Sequence, residues 1–130
     1  MAVFRLTRRL RRIRAAEAIS DAQLSVLGAL DLHGRHTLSG LAEHERVTAP
    51  TMSTIVAGLV ELGYVTRVTD EEDRRRVQVE ITDAGAAVIT ETVRRRDARL
   101  AELLDGLDLD DDELAALRDA AALMRRLAER

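Results

Sequence analysis

A mainly α-helical chain carrying one small β-wing is the fold class this sequence predicts, and three observations predict it. Apolar residues recur three or four apart through most of the 130 residues, the spacing of amphipathic helices. Ser20, Thr37, Thr48, Thr82 and Asp110 each stand just before such a run, where a side-chain oxygen can cap a helix N-terminus. Between two of these runs, residues 63–85 read GYVTRVTDEEDRRRVQVEITDAG. There a β-rich run, a charged tip and the alternating run Val77-Gln78-Val79-Glu80-Ile81 together predict a hairpin.

Taken in order, residues 2–18 predict a helix, with Val3, Leu6, Leu10, Ile13 and Glu17 three or four apart. Its other faces carry Arg5, Arg8, Arg9, Arg11, Arg12 and Arg14. Ser20 and Gln23 have capping-box spacing and start a second helix over 21–32, with Leu24, Val26, Leu27 and Leu30 on it. His33-Gly34 ends it. Thr37 caps a short helix over 38–45 and Thr48 another over 49–62, with Pro50 in the first turn, where a missing N–H costs little. The three-residue turn Glu45-Arg46-Val47 between them fits a helix-turn-helix. Gly63 closes the fourth helix and the lone hairpin follows. A long helix over 83–104 has Ala87, Val88, Val93, Leu100 and Leu103 as its apolar side, and Gly106 breaks it. Asp110 and Glu113 form a second capping box before a last helix with Leu114, Leu117, Ala121, Met124 and Leu127.

Composition bounds the function. The length suits one domain with a core of its own. With Phe4 and Tyr64 the only aromatic residues, that core is aliphatic. No cysteine is present, which excludes disulfides, thiolate metal sites and thiol-based sensing. All twenty basic residues are arginine, and Lys and Asn are both absent, as expected of a GC-rich bacterial genome. No apolar run reaches membrane-spanning length, so a cytoplasmic protein without a membrane partner is expected. The formal charge of −3 means that any positive surface for a polyanion is local.

In this order of elements the residues resemble the MarR family of bacterial transcriptional regulators. The matching string is Leu38-x-x-Leu41-Ala42, Val47, Thr51-Met52-Ser53, and Leu59-x-x-Leu62-Gly63-Tyr64-Val65. It continues through Arg67, Asp73-x-Arg75, Val77, Val79, Ile81-Thr82 and Gly85, covering about residues 20–86 in register. The resemblance implies a winged helix-turn-helix lobe over 33–82 and a helical dimerisation region over 1–32 and 83–130, all in a single MarR-type domain. It also implies a homodimer that places paired recognition helices in successive major grooves, about 10 bp apart, on a near-palindromic double-stranded DNA operator. A repressor released by a small aromatic ligand is the activity it implies.

Thr51, Ser53 and Thr54 are the candidates for base contact, near the N-terminal end of the recognition helix. That helix has no Arg or Lys, and Thr54 and Gly58 stand where relatives often carry a basic residue, which shifts the expected work to the wing and to DNA shape. Arg75 matches the family's wing arginine, for which the resemblance implies insertion into a minor groove. Asp73 is expected to hold its guanidinium extended, and Arg74 and Arg76 to pair with phosphates. The competing reading of the tip is a solvated loop in which Asp70, Glu71, Glu72 and Asp73 neutralise the arginines.

The arginines of the first helix are expected to form a solvated face, to graze DNA, or to pair across the dimer with acidic residues 108–113. His33, His36 and His44 read as turn histidines rather than a zinc site, and no cofactor is expected. Leu27, Leu30 and helix 83–104 are candidate walls of a ligand pocket or plain core, and the ligand-binding residues are unassigned. No nucleophile, phosphate loop or His-carboxylate set predicts an enzyme. The alternative function is a winged-helix protein-interaction or dimerisation module with little DNA affinity, supported by the uncharged recognition helix and the overall acidity.

Overall fold

The computed structural model describes residues 1–13 and 18–128. Its elements run α1 (Ala2–Arg11), α2 (Asp21–His33), β1 (His36–Thr37), α3 (Leu38–Glu45), α4 (Ala49–Glu61), β2 (Val65–Thr69), β3 (Val77–Ile81), α5 (Asp83–Asp105) and α6 (Asp111–Ala128). This is the expected mainly helical winged helix-turn-helix. The backbone divides into two compact units, residues 1–96 and 97–130.

The caps form as the sequence predicts. Ser20 Oγ accepts from the Gln23 N–H at 3.1 Å and Gln23 Oε1 from the Ser20 N–H at 2.9 Å, a complete capping box. Thr37 Oγ1 accepts from the Gly40 N–H, and Thr48 Oγ1 from the Thr51 N–H. Asp110 and Glu113 make the second box. The turn between α3 and α4 holds a feature no local pattern announces: Arg46 is left-handed, at φ 55° and ψ 44°. A side chain there costs about 1–2 kcal/mol, offset here by the closing bond from the Val47 N–H to the Ala42 carbonyl at 3.0 Å.

In the first unit, α2, α3 and α4 enclose the core with the base of the sheet. Ile19, Val26, Leu27, Leu30, Leu41, Met52, Val56, Leu59, Val65 and Val79 are its fully buried apolar members. Leu27, a candidate pocket wall, belongs to that core. The sheet has three strands in the order β1-β3-β2, all antiparallel, rather than the lone hairpin expected. His36 pairs with Val79 and Thr37 with Gln78, so Thr37 is at once a strand residue and the cap of α3. Two residues are too few to show a period, which is why this strand leaves no signal in the sequence.

Two further expectations are corrected. The first helix ends at Arg11 instead of reaching residue 18; Arg12 caps it and the Ile13 N–H turns back to the Leu10 carbonyl at 3.0 Å. Arg5, Arg8, Arg9, Arg11 and Arg12 stand three or four apart, where like charges oppose helix, and α1 buries no residue to offset them. The predicted continuation, with Arg14 and Glu17, lies outside the described residues. On α5 the buried line is Gly85, Val88 and Thr92, whereas Ala87 and Val93 are exposed, Val93 at 49%. Val93 sits about 140° around the helix from Val88, well off the buried line.

Beyond its core packing and the pairing of β3 with β1, the wing is tied to the helices by a hydrogen-bonded junction. The Thr82 N–H donates to the Tyr64 carbonyl at 3.0 Å and its hydroxyl to the Gly63 carbonyl at 2.7 Å, while Thr82 Oγ1 accepts from the Gly85 N–H at 3.1 Å. Gly63 supplies the positive φ of 75° that ends α4. Gly85 lies so close that a Cβ on it would be 2.2 Å from the Tyr64 carbonyl oxygen and 2.8 Å from Ile81 Cγ1.

In the second unit, α6 buries no residue, and its apolar side, including Leu123, Met124 and Leu127, is open to solvent. Earlier along α5, Arg94 and Arg95 both donate to the Glu91 carboxylate at 2.7–2.8 Å. These hydrogen bonds lower its pKa from the ordinary 4.5 to about 2.

Two predictions follow from this packing. Gly85→Ala lowers unfolding free energy by about 1–3 kcal/mol in urea titrations, because a backbone carbonyl cannot retreat as a side chain can. The Glu91 carboxyl titrates near pH 2 by NMR. Its folded pKa is depressed, so its stabilising effect is fully present above about 4.5 and is lost as pH falls through about 2.

Candidate nucleic-acid interface

Helix α4 displays its N-terminal half because Met52, Val56 and Leu59 turn the opposite side into the core. Thr51, Ser53 and Thr54 are all exposed, as candidates for base contact must be. Their hydroxyls differ. Thr51 Oγ1 lies 2.8 Å from Thr48 Oγ1 within the cap, and the Thr54 hydroxyl donates to the Pro50 carbonyl at 3.2 Å. Ser53 alone of the three has a hydroxyl with no protein partner among the described residues. Thr54 standing four residues after Pro50 is a signal for this back-bonding that the sequence does hold. Gly58 does not share the exposed row: a Cβ there would meet Gln23 Nε2 on α2 at 2.5 Å.

The wing tip is organised by its carboxylates, though not in the way expected. Asp73 Oδ1 accepts from the backbone N–H of Arg75 at 3.0 Å, and Asp70 Oδ1 from that of Glu72 at 2.9 Å. The loop closes through the Asp70 N–H to the Arg76 carbonyl and the Arg76 N–H to the Asp73 carbonyl, both at 2.9 Å. Asp73 therefore orders the backbone that carries Arg75 instead of holding its guanidinium. Among the described residues, Arg74, Arg75 and Arg76 form no ion pair with any carboxylate. The three guanidiniums stand exposed beside four acids, of which Asp70 and Asp73 accept from the main chain.

The fold brings the wing base and the helix-turn-helix to one side. A groove of about 640 Å³ runs between Ser39 and Ala49, in the first turns of α3 and α4, and Arg75, Arg76 and Val77 of the wing. Helix N-termini on one wall and guanidiniums on the other give it positive character, suited to a phosphate backbone. Elsewhere on the sheet, Arg35 pairs with Glu80 at 3.2 Å, an exposed bridge of little energetic weight.

The histidines gather more than their spacing suggested. The His33 ring meets His36 edge-on at 6.4 Å between centroids and His44 at 5.6 Å. Among the described residues no three His, Asp or Glu side chains are placed to share a metal ion.

Comparison with known proteins gives this geometry a context. A model of the MarR family matches residues 19–76. An uncharacterised HTH-type transcriptional regulator of Mycobacterium bovis is 36% identical over 129 residues, covering 99% of this chain and 89% of that protein. The HTH-type transcriptional repressor MdtR of Bacillus subtilis is 26% identical, over 87% of this chain and 72% of its own. The fold superposes on the crystal structure of a Pseudomonas aeruginosa protein described as a transcriptional regulator, with TM-score 0.82 and 32% identity. That alignment covers 99% of this chain and 88% of the other.

If Asp73 orders the tip, Asp73→Ala exposes the Arg75 amide and speeds its hydrogen exchange about five-fold, the loss of one net hydrogen bond. Asp73→Asn, whose side-chain carbonyl still accepts, leaves the exchange rate near that of the unaltered protein.

Proposed function

The chain belongs to the MarR family of DNA-binding transcriptional regulators, and we propose that it is a dimeric repressor that binds a near-palindromic operator and leaves it when a small molecule binds. Family and relatives indicate a regulator rather than an enzyme. The observation that carries the DNA reading is the wing tip: three exposed guanidiniums without ion-pair partners among the described residues, on a loop whose backbone Asp70 and Asp73 brace. Buried or paired arginines would pay for release before meeting a phosphate; these have no such contact to break.

Arg75 enters the minor groove, where a narrow A·T-rich stretch concentrates negative potential. Arg74 and Arg76 take flanking phosphates, each displacing condensed counterions. Thr51, Ser53 and Thr54 meet the major groove, and Asp73 acts through the backbone of Arg75. A protein that works on the chromosome works in the cytoplasm, and no helix among the described residues is long and apolar enough to cross a membrane.

The dimer is supported by uncovered apolar surface. Val3 and Phe4 on α1 are each 65% exposed, and Leu127 on α6 is 73% exposed. Apolar side chains left exposed along a helix mark association sites, and we assign residues 1–32 and 83–130 to dimerisation and 33–82 to the DNA-binding lobe. Ligand release is supported by a cavity of about 370 Å³ lined by Arg11, Asp21, Leu24, Ser25 and Arg96, a size that suits a small molecule. The ligand acts by binding better to lobe spacings that do not match the DNA grooves.

Gel-shift titration at fixed salt tests the proposal, with a fragment selected by the protein from its source genome. Arg75→Ala is expected to weaken binding about ten-fold or more, with helix content and the sedimentation of the dimer unchanged. Arg74→Ala and Arg76→Ala each lower the salt slope by about one. Equal affinity of Arg75→Ala and the unaltered protein would overturn the wing's role.

A further inference from the structure

The exposed row of α4 contains none of the side chains that read bases through paired hydrogen bonds. Along its N-terminal half it is Ala49, Pro50, Thr51, Ser53 and Thr54. Guanine is usually recognised by Arg or Lys, adenine by Asn or Gln, cytosine by Asp or Glu, and thymine by apolar contact with its C5-methyl group. The only charged residue farther along this row is Glu61, at the C-terminal end, about 10 Å along the axis from Thr54. Base contacts come from the N-terminal residues of a recognition helix.

The hydroxyls do not fill the gap. That of Thr54 is turned back to the Pro50 carbonyl and that of Thr51 is held in the cap by Thr48. What Thr54, itself exposed, keeps uncommitted is its γ-methyl group. Ser53 has a free hydroxyl, but one hydroxyl both donates and accepts and so discriminates poorly among bases.

From this we infer that α4 selects its site by the methyl group of thymine, with Thr54 as the specificity-determining residue. The inference rests on the proposed operator binding and specifies which base the major-groove contact reads. The back-bond matters because it fixes the threonine rotamer, so the methyl group meets DNA with its orientation already set.

Removing the thymine methyl tests it. The genomic fragment that the protein retains is copied with either dTTP or dUTP, which changes only the C5 position, exposed in the major groove and invisible in the minor. The unaltered protein is expected to bind the uracil copy about four-fold more weakly for each methyl group it buries. Thr54→Ser, which keeps the hydroxyl and loses the methyl, is expected to bind both copies alike. Thr54→Val, which keeps the methyl and loses the hydroxyl, is expected to retain the preference. Because uracil also alters duplex stiffness, the Thr54→Ser comparison isolates direct contact. Equal binding of both copies by the unaltered protein, or a full preference in Thr54→Ser, would overturn the inference and leave operator binding standing. Failure to bind any fragment even at low salt would overturn the operator reading, and this inference with it.

Discussion

Where β3 runs into α5, the carbonyls of Gly63 and Tyr64 accept both donors of Thr82, and Thr82 in turn receives the Gly85 amide. Four elements meet there: α4 ends, β2 begins, β3 ends and α5 begins. The contact between Gly85 and the Tyr64 carbonyl leaves no space for a side chain, so the wing cannot tilt on α5 without breaking these bonds. Since α4 leads directly into Gly63, the junction fixes the wing relative to the exposed face of α4. Everything proposed about grooves requires that this geometry be held before DNA arrives.

In the proposed complex the two DNA-facing elements divide the work in an unusual way. The wing carries charge and little shape, while α4 carries shape and no charge in its exposed N-terminal half. Affinity then comes mostly from guanidiniums and phosphates and is sensitive to salt. Selectivity comes from apolar contact and groove width, which salt affects much less. The left-handed Arg46 supports this division: its turn sets the angle at which α4 leaves α3.

Much of this fold was legible because the caps are local. A Ser, Thr or Asp followed three residues later by a donor N–H needs no tertiary information, and Ser20, Thr37, Thr48, Thr82 and Asp110 all cap as read. Strand β1 was not legible, since its existence depends on the far side of the hairpin coming to lie beside it. The early end of α1 was missed because apolar periodicity outweighed a run of like charges, and α1 has no buried contact to settle the matter. At the site, sequence identified the exposed residues but not their partners. Pairing Asp73 with the Arg75 side chain followed from charge, whereas the fold pairs it with the Arg75 amide.

The bracing of the wing has a kinetic side. Residues 70–76 hold four carboxylates and three guanidiniums, so from a distance the tip presents almost no net attraction to a polyanion. Only within a few ångströms, where the arginines project and Asp70 and Asp73 are turned to the main chain, does the proposed balance favour contact. On that proposal the tip does not linger on arbitrary duplex, and time bound to the rest of the chromosome is kept short. Fast sampling and a long stay at a fitting site then come from the same seven residues.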